Sequence, residues 1–174
     1  MEKWSIDTMH SEVQFKVKHL VISTVTGSFK IFEGNADTNG KTFDGSKVSF
    51  SLDVSSLNTN VADRDAHLKS DDFFNADQFP KINFTNGVLK NAGGDKYVLN
   101  GDLTIRDITK SVTLGVELGG VAVDGYGQTK AGFEVTGAIS RQAYGLKWNV
   151  VTEAGGVVVG DEVKLNINAQ LIKN

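Results

Sequence analysis

Three histidines, His10, His19 and His67, are the side chains of this sequence best suited to metal or proton chemistry. A zinc centre needs three or four such ligands converging on one point. No two of these histidines are spaced to share a helix face or a hairpin, and there is no cysteine to complete a set. His67 and Asp71, four residues apart, make a metal pair only if one helix carries both. The expectation is no metal and no cofactor. Arg64, Asp65 and His67 form the densest ionisable cluster, a trio that acid–base chemistry could use. A solvated helix face explains it more simply, with Arg64 and Asp65 capping or pairing with loop carboxylates. No serine stands in a nucleophile elbow, no glycine loop carries a phosphate-cradling lysine, and no zinc-protease helix exists. The residues argue against an enzyme.

The elements that must position these side chains are strands. Val13, Phe15 and Val17 alternate with polar residues, as do Val48, Phe50, Leu52 and Val54. The period of two returns at Tyr97, Leu99, Leu103 and Ile105, and at Val112, Leu114, Val116 and Leu118. It returns at Phe133, Val135 and Ile139, and lastly from Val163 through Leu165, Ile167 and Ala169 to Leu171. Successive side chains of a strand face opposite ways, so each run places its apolar set on one surface. One wet and one dry face is the mark of an antiparallel sheet. Asn39-Gly40, Asp44-Gly45, Asn86-Gly87, Gly93-Gly94-Asp95 and Asp124-Gly125 supply turn residues between the runs. Gly27, Gly101, Gly132 and Gly137 lie inside strand-like runs, where a barrel corner or a close approach would need them.

One polar segment breaks the rhythm. Residues 61–70 read as a short helix with Asn60 as N-cap, Asp63 and Asp65 at its start and Lys69 at its end. An aromatic connection follows, with Phe73 and Phe74 ahead of Pro80, the sole proline. Eight of the ten phenylalanines fall between Phe29 and Phe84, which means either a filled core or an aromatic-lined cavity. At 174 residues with 40% apolar content, the chain suits one β domain with a sizeable core. The net charge of −3 lacks the basic stripe that nucleic acid requires. No run approaches the length of a membrane helix, and the N-terminus lacks the pattern of a secretory signal. A cytoplasmic protein is the expectation.

In order, these segments resemble the YceI-like family of lipid and polyisoprenoid-binding proteins. The resemblance is carried by Trp4 to Ser11, Phe15 to Leu20, Thr26 to Phe29 and Ser56 to Asn60. It continues through Arg64 to Ser70, Asp72 to Asn75, Phe79 to Phe84, Gly101 to Arg106, Thr109 to Leu114, Tyr144 to Asn149 and Val159 to Asp161. Tyr144 stands where relatives often have phenylalanine, and Ser111 where proline is common. The resemblance implies one domain over residues 1–174, an all-β, extended, antiparallel, lipocalin-like barrel around a long apolar tunnel. Its cargo would be a polyisoprenoid or other long-chain lipid. The tunnel wall would include Phe15, Val17, Phe29, Phe50, Leu52, Phe73, Phe74, Ile82, Phe84, Leu103, Leu114, Phe133 and Trp148. His19, Arg64, His67 and Arg141 would stand at a polar head site or mouth, and His10 is a further signature residue. Phe73 and Phe74 are placed at the mouth. The leading expectation is noncatalytic binding, storage or transport, with transient membrane contact and a homodimer both compatible. Two alternatives stay open: an enzyme acting on a bound prenyl or amide lipid through His67 or His19, and a stress-related protein with a filled core.

Overall fold

The structure, a computed structural model, describes residues 1–149 and 158–174. Among the described residues eleven strands form one antiparallel sheet: β1 (Glu2–Ile6), β2 (Glu12–His19), β3 (Ser23–Phe29), β4 (Phe32–Thr38), β5 (Lys47–Asp53) and β6 (Leu57–Asn58) come first. β7 (Lys81–Gly93), β8 (Lys96–Ile105), β9 (Ile108–Val123), β10 (Thr129–Ser140) and β11 (Val159–Lys173) complete it. The first six are halves of three bent strands. β1 and β2 both run antiparallel to β11, in the registers Trp4↔Lys173 and Val13↔Ile167. β4 and β3 then pair with β1 and β2, and β5 and β6 with β4 and β3. Counted this way, the chain is a meander of eight antiparallel strands whose last member pairs with its first, a closed barrel. Closure leaves β11 with no free edge, which removes the usual aggregation hazard of a long strand.

The alternating runs face the interior as expected. Val13, Phe15, Leu52, Ile105, Leu114 and Phe133 are buried, while Glu12, Lys16, Lys47 and Glu134 are exposed. Asn39-Gly40, Gly94-Asp95 and Asp124-Gly125 lie between strands, and at the last turn Asp124 Oδ1 accepts from the N–H groups of Tyr126 and Gln128. Asn86-Gly87 is no turn: it is a bulge inside β7, with Asn86 at φ 55° and shifted register on both sides. Turns and bulges draw on the same residues because both need left-handed backbone. The glycines inside strands serve close approach and bulging. Side chains at Gly101 and Gly137 would collide with Phe84 and Leu114, and Gly132 stands at the bulge before Phe133.

The one α-helix among the described residues, α1 (Ala62–Lys69), lies between β6 and β7 and crosses no membrane. Its N-cap is Val61 and not Asn60, which takes a left-handed φ of 67° and cannot cap. Asp65 instead reaches back to Thr59. None of the helix residues is fully buried, so α1 is held by its polar anchors more than by a hydrophobic face.

Candidate functional site

Two buried clusters meet inside the barrel. One gathers Phe15, Phe29, Phe32 and Phe73 toward the α1 end, and the other gathers Trp4, Phe43, Phe84 and Phe133 toward the opposite end. They do not fill it. A cavity of about 240 Å³ runs between them, and its surface is carbon almost throughout. Val163, Leu165, Ile167, Ala169 and Leu171 all line it from one face of β11. At about 3.3 Å per residue those five positions span about 26 Å. The space is therefore long and slender.

Of the apolar residues expected in the wall, all but Trp148 line this cavity: Phe15, Val17 and Phe29 from β2 and β3, Phe50 and Leu52 from β5, Ile82 and Phe84 from β7, Leu103 from β8, Leu114 from β9, Phe133 from β10, and Phe73 with Phe74. Trp148 stands one layer out. Its ring packs against His67 at 4.7 Å and Phe73 at 5.4 Å between centroids. It belongs to the connection after β10, outside any strand, so strand alternation says nothing about its direction.

Phe73 and Phe74 close the α1 end from within. Phe73 is 4% exposed, and Phe74 packs edge-on to Phe29 at 6.1 Å. Arg106, in the tight β8–β9 turn, holds their loop in place by donating to the carbonyl of Phe73 at 3.1 Å and stacking on Phe79. Sequence reasoning missed this role. The only signal was an arginine at a two-residue gap between strands, held here at φ 55°.

The polar candidates separate in space. Arg64 and Asp65 converge on buried Thr59: Asp65 Oδ1 accepts from the Thr59 N–H at 2.8 Å and from its hydroxyl, while Arg64 donates to Thr59 Oγ1 and to its carbonyl. This knot fastens α1 to β6. His67 hydrogen-bonds Asp72 at 2.8 Å, not Asp71. His19 ends β2 opposite Ser23, and His10 bonds Asp7 at 2.8 Å where β1 gives way to β2. The three histidines thus have three separate settings, and among the described residues no group of three suits a metal ion.

Arg141 alone of the four reaches the cavity, where it is the only charged residue among the described lining residues. It is 4% exposed. Its Nε donates to Gly160 O at 2.7 Å, Nη1 to Leu146 O at 2.6 Å and Trp148 O at 2.9 Å, and Nη2 to Val159 O at 3.1 Å. Burial pushes its ionisation below the ordinary arginine value, against the opposing pull of Asp161. Four carbonyl acceptors spread the charge without a direct ion pair, and the planar guanidinium fork is the group shaped to reach them all. Arg141 therefore ties the connection after β10 to the start of β11, and its guanidinium forms part of the cavity wall.

A closed eight-stranded antiparallel barrel around a slender carbon-lined cavity is a lipocalin-like design, and among the described residues its wall carries one charged side chain, Arg141. Within that class the chain belongs to the YceI-like family, whose sequence pattern matches residues 4–171. A UPF0312 protein of Staphylococcus aureus strain USA300 is 40% identical over 171 residues, covering 98% of this chain and 97% of the relative. The crystal structure of the Campylobacter jejuni YceI protein superposes with a TM-score of 0.76 at 31% identity, covering 91% of each chain. A polyisoprenoid binding domain from Saccharophagus degradans has the same fold, with a TM-score of 0.73 at 14% identity over 98% of both chains.

Proposed function

We propose that this protein binds a polyisoprenoid or similarly long apolar lipid inside the barrel and stores or carries it without altering it. The observation that carries this reading is the carbon-lined cavity of about 240 Å³. Left empty, such a void would cost about 6 kcal/mol at ~24 cal/mol per Å³. A whole domain has a stability of only about 5–15 kcal/mol. An apolar chain laid along β11 supplies the missing contacts. Each buried methylene is worth about 0.8 kcal/mol relative to water, so a chain with roughly twenty buried carbons gains nominally about 16 kcal/mol. A lipid taken from a bilayer is already out of water, and the smaller net gain suits cargo that exchanges. The polyisoprenoid-binding neighbour from Saccharophagus degradans supports this class of cargo.

A noncatalytic role is favoured over lipid chemistry because neither His67 nor His19 is among the cavity-lining residues. The His67 imidazole has its partner elsewhere, in Asp72. Titration of lipid-stripped protein with a fluorescent prenyl alcohol tests the reading. Leu103→Trp, which fills the middle of the cavity, should weaken uptake by about tenfold or more, since overfilling a packed interior is poorly tolerated. Uptake unchanged by that substitution would place the lipid elsewhere.

A further inference from the structure

We propose that the β2–β3 hairpin tip, Leu20-Val21-Ile22, docks the protein on a negatively charged lipid bilayer at the end of the barrel where α1 and Phe73 close the cavity. The inference rests on the lipid-binding reading and adds the place where cargo is exchanged. Leu20, Val21 and Ile22 are 40%, 71% and 86% exposed. Single exposed aliphatics are ordinary, but three in succession on a tip are a fault unless they serve a contact.

The backbone makes the choice of residues stranger still. Leu20 and Val21 hold φ values of 55° and 65°, in the left-handed region where asparagine or glycine sits without strain. A β-branched residue there is a rare exception, and strain of this kind collects at functional sites. Leu20 and Val21 are thus wrong for the turn and wrong for water. Entry into hydrocarbon removes the second fault and supplies the functional reason for which the first is tolerated.

The charge around the tip selects the partner. Lys16 and Lys18 are exposed on β2, and Lys164 stands directly across from Lys16 on β11. Like charges placed opposite each other destabilise a sheet. Among the described residues no carboxylate forms an ion pair with any of the three. Glu162 is the carboxylate nearest in register, while neighbouring Asp161 is engaged by the Ser140 hydroxyl. An apolar tip above a basic belt is the arrangement that attracts and then enters an anionic bilayer.

The position fits the task. The Leu20 N–H donates to Val158 O at 2.8 Å, and Val17 and Val159, close by in the same strands, line the cavity. The β9–β10 hairpin at the far end exposes Val121, Val123 and Tyr126 as well, but the lysine of that hairpin beside them, Lys130, is already paired with Asp124. That apolar tip has no free lysine beside it on its own strands.

Flotation with vesicles tests the proposal, using phosphatidylcholine alone and phosphatidylcholine with phosphatidylglycerol. The native protein should float with the anionic vesicles at least about tenfold more than with the neutral ones. The triple variant Leu20→Asn, Val21→Gly, Ile22→Thr should lose about tenfold or more of that binding while remaining folded, because Asn and Gly suit left-handed backbone. Replacing Lys16, Lys18 and Lys164 by Gln should remove the preference for anionic vesicles. A control pair at the far end, Val123→Thr with Tyr126→Ser, should change nothing. The proposal is overturned by native protein that does not float, by a tip variant that floats equally, or by a control that fails as badly. A tip variant that loses a dimer yet still binds vesicles would also overturn it, assigning the tip to self-association. Loading with a prenyl probe delivered from detergent separates the two readings. Protein that loads but does not float sinks the docking proposal alone, and protein that floats but never loads sinks the cavity reading.

Discussion

The ring of Phe15 lies in the space that a side chain at Gly27, its cross-strand partner, would occupy: a Cβ there would stand 2.3 Å from Phe15 Cζ. The ring lies flat over the backbone of β3 because Gly27 has no side chain, and the cavity keeps its width at that level. Phe84 uses Gly101 in the same way. Gly27→Ala should therefore drive the Phe15 ring into the cavity. Stability should fall by about 1–3 kcal/mol from overpacking, and the longest prenyl chain the protein accepts should shorten. Urea unfolding and a chain-length series of prenyl alcohols measure the two effects.

Arg141 should behave as a structural clamp whose geometry matters as much as its charge. Arg141→Met keeps most of the volume but strands the carbonyls of Gly160, Leu146, Trp148 and Val159. The expected loss is on the order of 3 kcal/mol or more, the cost of several buried acceptors left unpaired. Arg141→Lys should recover little of it, since an ammonium donates from one point and cannot span four acceptors. A lysine variant as stable as the native protein in urea would contradict the clamp.

Asp7 carries a pH dependence. Burial raises its pKa, but hydrogen bonds from His10 and the Met9 N–H, with the charges of His10 and Lys130, outweigh that and hold it below its ordinary value of 3.8. A carboxyl depressed in the folded state contributes stability above its unfolded pKa and loses it as pH falls through the folded one. Asp7→Asn should thus destabilise the protein at about pH 7, and the gap from native should narrow as pH falls from neutral through the depressed folded pKa. Urea midpoints for both proteins across that range give the answer. A gap that stays constant with pH would mean that the charge of Asp7 does not contribute.

The fold was legible because a barrel gives every strand one dry face, so Val13, Phe15 and Val17 announce their direction by alternation alone. The same rule turned Phe15, Val17, Phe50, Leu52, Leu103, Leu114 and Phe133 toward the cavity, beside wall residues that the family resemblance supplied. It failed at Trp148, which follows β10 in irregular backbone where no period applies. It could not separate the turn at Gly94-Asp95 from the bulge at Asn86-Gly87, since both satisfy the same need for left-handed backbone. Nor could it tell a cavity from a filled core. That outcome depends on register, on Phe15 falling opposite Gly27 and Phe84 beside Gly101, and a single sequence does not display register. The polar residues were legible as a group but not in role. Arg64 and Asp65 are four-bonded to Thr59, which lies in a segment that carries the family resemblance but whose residue type names no role.

The central claim, an apolar chain held inside the barrel, is most directly tested by native mass spectrometry of protein purified without detergent or organic solvent. The account predicts a species heavier than the bare chain by the mass of one long apolar lipid, released as that lipid on collisional heating. After stripping, an added polyisoprenoid should restore it at one per chain, and Leu103→Trp should not take it up. Bare protein alone before and after addition of the lipid would contradict the account.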